Sequence, residues 1–412
     1  RFAEITEDIN MSRETALREL LPLVQVAEAL VQKYDAVVTN PPYMGASNMN
    51  PKLNEFIKNN YADYKSDFFS AFVIHASQMT KQSGYCGFFT PYVWMFIQSY
   101  EKMRNYLYNQ ATIETLIQFE YSAFEEATVP VCTFAFQNRH VQKKGCYLRL
   151  VDFRGGMEVQ RQKTLEAIEN HNCGFYYEQS TDNFSKIPGS PVAYWVSEAV
   201  LECYKNSSIY DYAKPCKGID TGDNNIFLRL WHEIAENKLF LPKGKPCCTD
   251  DFLHLKWFPY NKGGNYRRWY GNNEYVLNWE ENGNKLRQFK GSNLRNKDRY
   301  FEQGITWSTV TSGKSSFRFF TFGFLFDNGG SCLFADKHLL YIQGLLNSCV
   351  SQELLSIQPT LNNQPGTIGS IPLILSPGEP TVDDFVNTNI ALSKNDWDSY
   401  ETSWDFKRSP LV

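Results

Sequence analysis

Asn40, Pro41, Pro42 and Tyr43 follow directly on the apolar, β-branched run Ala36–Thr39. A primary amide beside a peptide carbonyl is a pair of hydrogen-bond acceptors. The Asn40 side chain and the Pro41 carbonyl can both accept from one exocyclic NH2, drawing its lone pair out of conjugation as the nitrogen becomes tetrahedral. Such a pair is complementary to the transition state of attack by that nitrogen. Tyr43 adds a flat face on which a planar base can stack. The prolines make the cluster rigid: they fix φ, hold Asn40 extended and offer no N–H to prolong a ladder. The alternative is a strand-ending turn that happens to carry Asn and Tyr, since four residues match by chance often enough.

The elements that must position this cluster come from periodicity. Ala36–Thr39 reads as a buried strand. Before it, Glu14–Lys33 carries Leu17, Leu20, Leu21, Val24, Ala27, Leu30 and Val31 on one helical face. After the prolines, the polar stretch 48–60 predicts a mobile flap or short helix, and 66–80 a helix with Phe69, Phe72, Val73, Ala76 and Met79 on its core stripe. A turn and strand at Gly84–Pro91, a helix at 99–109, and strands at Ile113–Phe119, Val131–Gln137 and Gly145–Phe153 complete an alternating pattern. That pattern is a doubly wound α/β sheet, whose ligands sit at the carboxyl ends of the strands. Residues 1–156 are assigned to it, 157–190 to a linker containing a helix at 159–170 and the Pro- and Gly-punctuated K-I-P-G-S-P, and 191–412 to a second domain of mixed α+β type. Helices are expected there at Leu339–Asn347 and Val382–Leu392, with a closing strand at Gly366–Leu373.

Composition narrows the class. With 412 residues there is room for two or three domains, and 42% hydrophobic against 21% charged residues describes a globular chain without a membrane-length apolar run. The ten cysteines form no C-x-x-C pair, although Cys247 and Cys248 adjoin, and the six histidines show no metal spacing. A reducing cytoplasm, no metal and no membrane are therefore expected. The first residue is Arg1, without a leader after it, so the sequence reads as a piece of a longer chain.

Charge is unevenly spread. Between Lys256 and Arg318 twelve lysines and arginines face five acids, inside a chain of net charge −4. Trp257, Phe258, Tyr260, Tyr266, Trp269, Tyr270, Tyr275 and Trp279 are interleaved with them. Cations neutralise phosphates and flat rings meet bases, so this is the content of a duplex-DNA face; a plain solvated face is the competing reading. Lys217, Arg229, Lys262, Arg267, Arg268, Lys285, Arg287, Lys290, Arg295, Lys297 and Arg299 are the candidate contacts. Arg229, Arg267 and Arg268 can read guanine edges or grip phosphates. Asp220 and Asp223 read as turn and capping residues.

The motifs together carry a resemblance. N-P-P-Y at 40–43, Asp67-Phe68-Phe69 opening the next helix, and Q-S-G-Y-C-G-F-F-T-P ending at Pro91 resemble the amino-group methyltransferases that use S-adenosylmethionine, above all the N6-adenine DNA enzymes. K-G-I-D-T-G-D-N-N-I-F-L-R at 217–229, F-P-Y-N-K-G-G-N-Y-R-R-W-Y-G-N at 258–272, G-I-T-W-S at 304–308, Y-I-Q-G-L-L-N-S at 341–348 and D-W-D-S-Y-E-T-S-W-D-F at 396–406 resemble the target-recognition region of large bacterial adenine methyltransferases. They are most similar to the PglX family of BREX phage-defence systems, and also to fused restriction-modification enzymes. The resemblance implies a partial methyltransferase sheet, the catalytic half, fused to a target-recognition domain. It further implies N6 methylation of a flipped adenine in duplex DNA, with Asn40 and Pro41 on the amino group and Tyr43 stacking. Phe124, before V-P-V-C-T-F-A-F, stands either against that base or as a lid over the core. Other phage-defence proteins are possible partners. One departure is plain: these enzymes hold the cofactor on a glycine-rich loop upstream of N-P-P-Y, and residues 1–39 contain no glycine. The sequence alone is therefore expected to bind DNA without catalysis, Asn40 lining only the edge of the cofactor site.

Overall fold

Two prolines after Thr39 end a strand, and the rest of the first unit is built beside it. The computed structural model describes residues 11–411 apart from 122, 125–128, 247–254, 312 and 358–361. Cys247, Cys248 and His254 lie outside the described residues. The chain divides into two units, Arg1–Trp195 and Val196–Val412.

In the first unit, helix α1 (Met11–Val31) leads into β1 (Tyr34–Thr39), followed by α2 (Pro51–Asn60), α3 (Phe68–Met79), β2 (Thr80–Pro91), α4 (Glu101–Gln110), β3 (Thr112–Gln118), β4 (Val131–Gln137), β5 (Lys144–Arg149), α5 (Gly156–Glu169) and β6 (Tyr176–Ser180). The strands form one sheet in the order β1-β2-β4-β3-β5-β6. β1 runs parallel to β2 and β3 parallel to β5, while β4 lies antiparallel between β2 and β3. The carboxyl ends of β1, β2, β3 and β5 therefore share one edge, which carries Asn40, Tyr92, Phe119 and Leu150. Alternation puts Phe88, Phe134 and Phe136 on one face, under Phe69 and Val73 of α3 and Met103 and Leu107 of α4. Each such side chain contributes roughly 1.5–3 kcal/mol by leaving water.

The expected strand exists. Among the described residues β1 is the outermost strand of the sheet, and in this chain Val38 is 79% exposed. Leu20, Val24, Leu30 and Val31 of α1 are exposed in this chain.

Residues 157–190, expected as a linker, belong instead to the first unit. α5 occupies part of them, and β6 pairs with β5 from Lys144–Ser180 to Leu148–Tyr176. The K-I-P-G-S-P passage is held by Arg104, whose wholly buried guanidinium donates to the carbonyls of Gly189 (2.6 Å), Ser190 (2.9 Å), Trp94 (2.7 Å) and Ile97 (2.8 Å). A buried cation needs such acceptors, and here they are backbone groups that no sequence pattern reveals.

The second unit comprises α6 (Glu198–Cys203), β7 (Lys214–Cys216), α7 (Asn224–Phe227), β8 (Leu228–Leu230), β9 (Trp257–Asn261), β10 (Tyr275–Asn278), α8 (Glu280–Gln288), β11 (Gly304–Trp307), β12 (Phe317–Phe320), β13 (Leu325–Phe326) and β14 (Cys332–Phe334), then helices α9 (Leu339–Asn347), α10 (Cys349–Ser356), α11 (Pro365–Gly369) and α12 (Glu379–Trp397). Two four-stranded sheets result, β13-β9-β10-β8 and β12-β11-β14-β7. Gly218 lets two segments meet: a Cβ there would lie 1.9 Å from the Phe326 carbonyl oxygen. The expected helices at 339–347 and 382–392 are present. The strand expected at 366–373 is not, because Pro365, following an extended Gln364, starts the short helix α11.

Candidate functional site

Asn40 is exposed at the carboxyl end of β1 while Pro41 behind it is buried, so the prolines turn the amide outward rather than into the core. The Tyr43 hydroxyl lies 2.9 Å from Asn40 Oδ1 and 3.1 Å from the carbonyl oxygen of Phe89, near the end of β2, and donates to this pair. That bond orients the amide and leaves Oδ1 a second lone pair. Partial burial, and secondarily Cys132, push the Tyr43 phenol up to about 12. Tyr43 is 38% exposed, and its ring stands edge-on to that of Phe69 at 6.4 Å.

Asp67 fixes the loop that follows. It caps α3 by accepting from Phe69 N (3.2 Å), and the same Oδ1 accepts from Met44 N (2.9 Å). Burial raises this carboxyl, and backbone donors at Met44, Phe69 and Phe68 pull it back. An aspartate before an apolar helical run is a readable cap; its grip on Met44 is tertiary. The Phe89 carbonyl was missed altogether, for a backbone oxygen has no signature in sequence.

Phe124 is half-buried, edge-on to Phe89 (5.3 Å) and Phe119 (5.3 Å). Phe89 thus touches both halves of the expected site, through its carbonyl to Tyr43 and its ring to Phe124. Among the described residues no group of three or more His, Cys, Asp or Glu can hold a metal ion. His75 pairs with the Tyr61 hydroxyl at 2.9 Å. Residues 1–39 contain no glycine.

The second unit corrects the picture of a continuous aromatic and basic face. Trp257, Phe258, Tyr260, Tyr270 and Trp279 are buried: Phe258, Tyr260 and Trp279 pack with Leu277, Leu286 and Leu325, and Trp257 packs with Leu239 and Val276. Arg318, counted among the cations, is also buried, and desolvation brings its guanidinium down to about 10. Several candidate contacts are engaged internally: Lys262 with Asp327 (2.5 Å), Arg267 with Asp396 (2.5 Å), Arg295 with Asp220 (2.5 Å), Arg299 with Glu302 (3.0 Å) and Lys285 with Glu280 (3.1 Å). Arg229 donates to the carbonyls of Asn225 and Leu228, both at 2.6 Å, and lies over Trp257. Arg287 lies over Trp279 and Arg268 over Tyr266. Among the described residues no ion pair is found for Lys217, Lys290 or Lys297. Asp223 caps α7 through Asn225 N (2.8 Å), as its turn context suggests.

Comparison with known proteins shows what the chain is similar to. Residues 4–124 match the family model of the Eco57I restriction-modification methylase. The adenine-specific methyltransferase BrxX of Escherichia coli O9:H4 (strain HS) is 35% identical over 424 residues, covering 100% of this chain and 33% of the relative. By sequence, the chain is thus similar over its whole length to part of an adenine-specific methyltransferase. The PglX of Lacticaseibacillus casei (strain Zhang) is likewise 35% identical over 412 residues, 96% of this chain and 34% of that protein. The chain thus spans about a third of the length of these relatives. In fold it is similar to the Type IIL restriction-modification enzyme MmeI, solved in complex with DNA (TM-score 0.54, 11% identity, 90% of this chain and 50% of that one). It is also similar to the Type ISP enzyme LlaGI, solved with a DNA substrate mimic (TM-score 0.51, 11% identity, 95% of this chain and 37% of that one). The similarity to MmeI and LlaGI extends over most of both units of this chain. No described helix is long and apolar enough to cross a membrane.

Proposed function

We propose that the protein containing this chain methylates the N6 amino group of adenine at a specific site in duplex DNA, and that it serves phage defence. The observation that carries this reading is the outward-facing Asn40 amide at the sheet's carboxyl edge, bonded to Tyr43, in a chain 35% identical to BrxX and PglX. S-adenosylmethionine is the cofactor this chemistry implies, and when bound it supplies an electrophilic methyl group on a sulfonium. The residues of this chain act on the acceptor side. The adenine is flipped out of the duplex; Asn40 Oδ1 and the Pro41 carbonyl accept from its amino group and meet the charge that grows on N6. Tyr43 stacks on the ring and Phe124 closes from beside Phe89. No base is required, because the N6 proton passes to water after the methyl arrives.

Lys217, Lys290, Lys297, Arg268 and Arg287 are the cations left to meet DNA, and the second unit selects the site. The test is methylation of plasmid DNA by the full-length protein and its Asn40→Ala variant: loss of N6-methyladenine with DNA binding retained supports the reading, and strong residual methylation by the variant overturns it. A second reading favours this stretch alone as a DNA-binding piece, because its residues lack the cofactor loop. Micromolar S-adenosylmethionine binding by these 412 residues in calorimetry contradicts that reading.

A further inference from the structure

The loop joining β9 to β10 has a backbone that few sequences tolerate. Within residues 263–272, Gly263, Gly264, Trp269, Gly271 and Asn272 all lie at positive φ, Trp269 at +71°. Glycine adopts this region freely; a tryptophan held there is strained and stays only where its surroundings over-determine it. They do. Trp269 N donates to the Phe317 carbonyl (2.9 Å), and the Trp269 carbonyl accepts from Phe319 N (2.7 Å) and Gln343 Nε2 (3.1 Å). The Ser393 hydroxyl lies 3.0 Å from the carbonyls of both Arg268 and Tyr270. Arg267 is used up in this scaffold, through Tyr270 O (2.9 Å), Asp396 (2.5 Å) and the ring of Trp397. On the other flank Lys262 pairs with Asp327, Ser308 Oγ donates to Gly264 O (2.7 Å), and Asn272 Nδ2 donates to Asn265 O (2.9 Å).

Between these anchors Gly264, Asn265 and Tyr266 are exposed, Tyr266 at 55%. The Arg268 guanidinium lies 5.7 Å from the centre of the Tyr266 ring, its Nε is buried without a hydrogen-bond partner, and no ion pair holds it among the described residues. Two neighbouring arginines are thus opposites. Arg267 builds the loop; Arg268 is presented by it.

We propose that Tyr266 and Arg268 form a preformed reading tip that recognises one base pair of the target duplex through a groove edge, with Arg267 making no DNA contact. This rests on the DNA reading above. A planar guanidinium steadied by a ring on a rigid loop suits the two acceptors of a guanine edge, whereas a phosphate requires only charge. Rigidity also lowers the entropy lost on binding.

The experiment maps methylated adenines in DNA modified by the full-length protein and by its Arg268→Ala, Arg268→Lys and Tyr266→Ala variants, with DNA affinity measured against salt. Arg268→Ala is expected to relax one position of the recognised sequence by roughly tenfold or more, with Arg268→Lys failing to restore it because an ammonium lacks the fork. Tyr266→Ala is expected to relax the same position more weakly. An unchanged recognised sequence, with affinity lowered equally on all DNA and the salt slope reduced by about one, is a phosphate contact and overturns the proposal. Arg268→Lys keeps the stem and charge, so a folding failure of the alanine variant does not shield the idea. Absence of adenine methylation by the wild-type protein instead sinks the functional reading on which the tip depends.

Discussion

Asn40–Tyr43 and 263–272 use similar residues, an amide and aromatic rings beside prolines or glycines, and they become rigid by opposite routes. In the first, stiffness is covalent: two prolines fix the backbone, and one hydroxyl proton shared between Asn40 Oδ1 and the Phe89 carbonyl finishes the work. In the second, glycines loosen the backbone, and tertiary bonds from β12, α9 and α12 restore order around Trp269 and its neighbours. A site that must present one fixed pair of acceptors is served by local stiffness. A surface suited to choosing among targets is served by a permissive loop on a separate scaffold, where a change at the tip leaves the anchors intact.

The sharpest way to test the first half of this contrast is Asn40→Ala. We expect methyl transfer by the full-length protein to fall on the order of 100-fold or more, with DNA affinity unchanged, as read by incorporation of labelled methyl groups and by filter binding. The second half is tested at Asp327, which is buried and accepts from Tyr260 (2.9 Å), Lys262 (2.5 Å) and Gly329 N (2.5 Å). Asp327→Ala strands these donors and is expected to cost about 3 kcal/mol in urea unfolding. Lys285→Ala, which breaks an exposed pair with Glu280, is expected to cost less than about 0.5 kcal/mol. Equal losses in the two variants break the claim that the loop depends on its scaffold.

A smaller effect is expected at Tyr43→Phe. The ring stays but the bond to Asn40 goes, so kcat falls about fivefold, the equivalent of about 1 kcal/mol, with KM nearly constant. A rise in KM alone points to stacking rather than orientation of the amide. The smallest effect is on pH dependence. The folded Tyr43 phenol is raised from 10.0 to about 12, so the folded state holds this proton more tightly. Its contribution to stability is complete below pH 10, the unfolded value, and is lost as pH climbs towards 12. Alkaline unfolding curves of wild type and Tyr43→Phe are accordingly expected to converge across that window.

Much of the first unit was legible because periodicity and breakers are local properties. Pro41 and Pro42 end β1, Asp67 caps α3, and the strands at 131–137 and 112–118 show in runs of apolar and β-branched residues. The motif's outward-facing amide follows from the same prolines. Burial was not legible, because it depends on neighbours: Trp257 and Trp279 read as a DNA face yet are buried. Nor was the sorting of cations, since Arg267 meets Asp396 across 129 positions and Lys262 meets Asp327 across 65. Residue type and spacing by themselves determined what chemistry was on offer, an amide beside a carbonyl and a surplus of positive charge. Only the tertiary structure decided which groups remain free to use it, because a charge or ring is available to a ligand only when no distant part of the same chain has already claimed it.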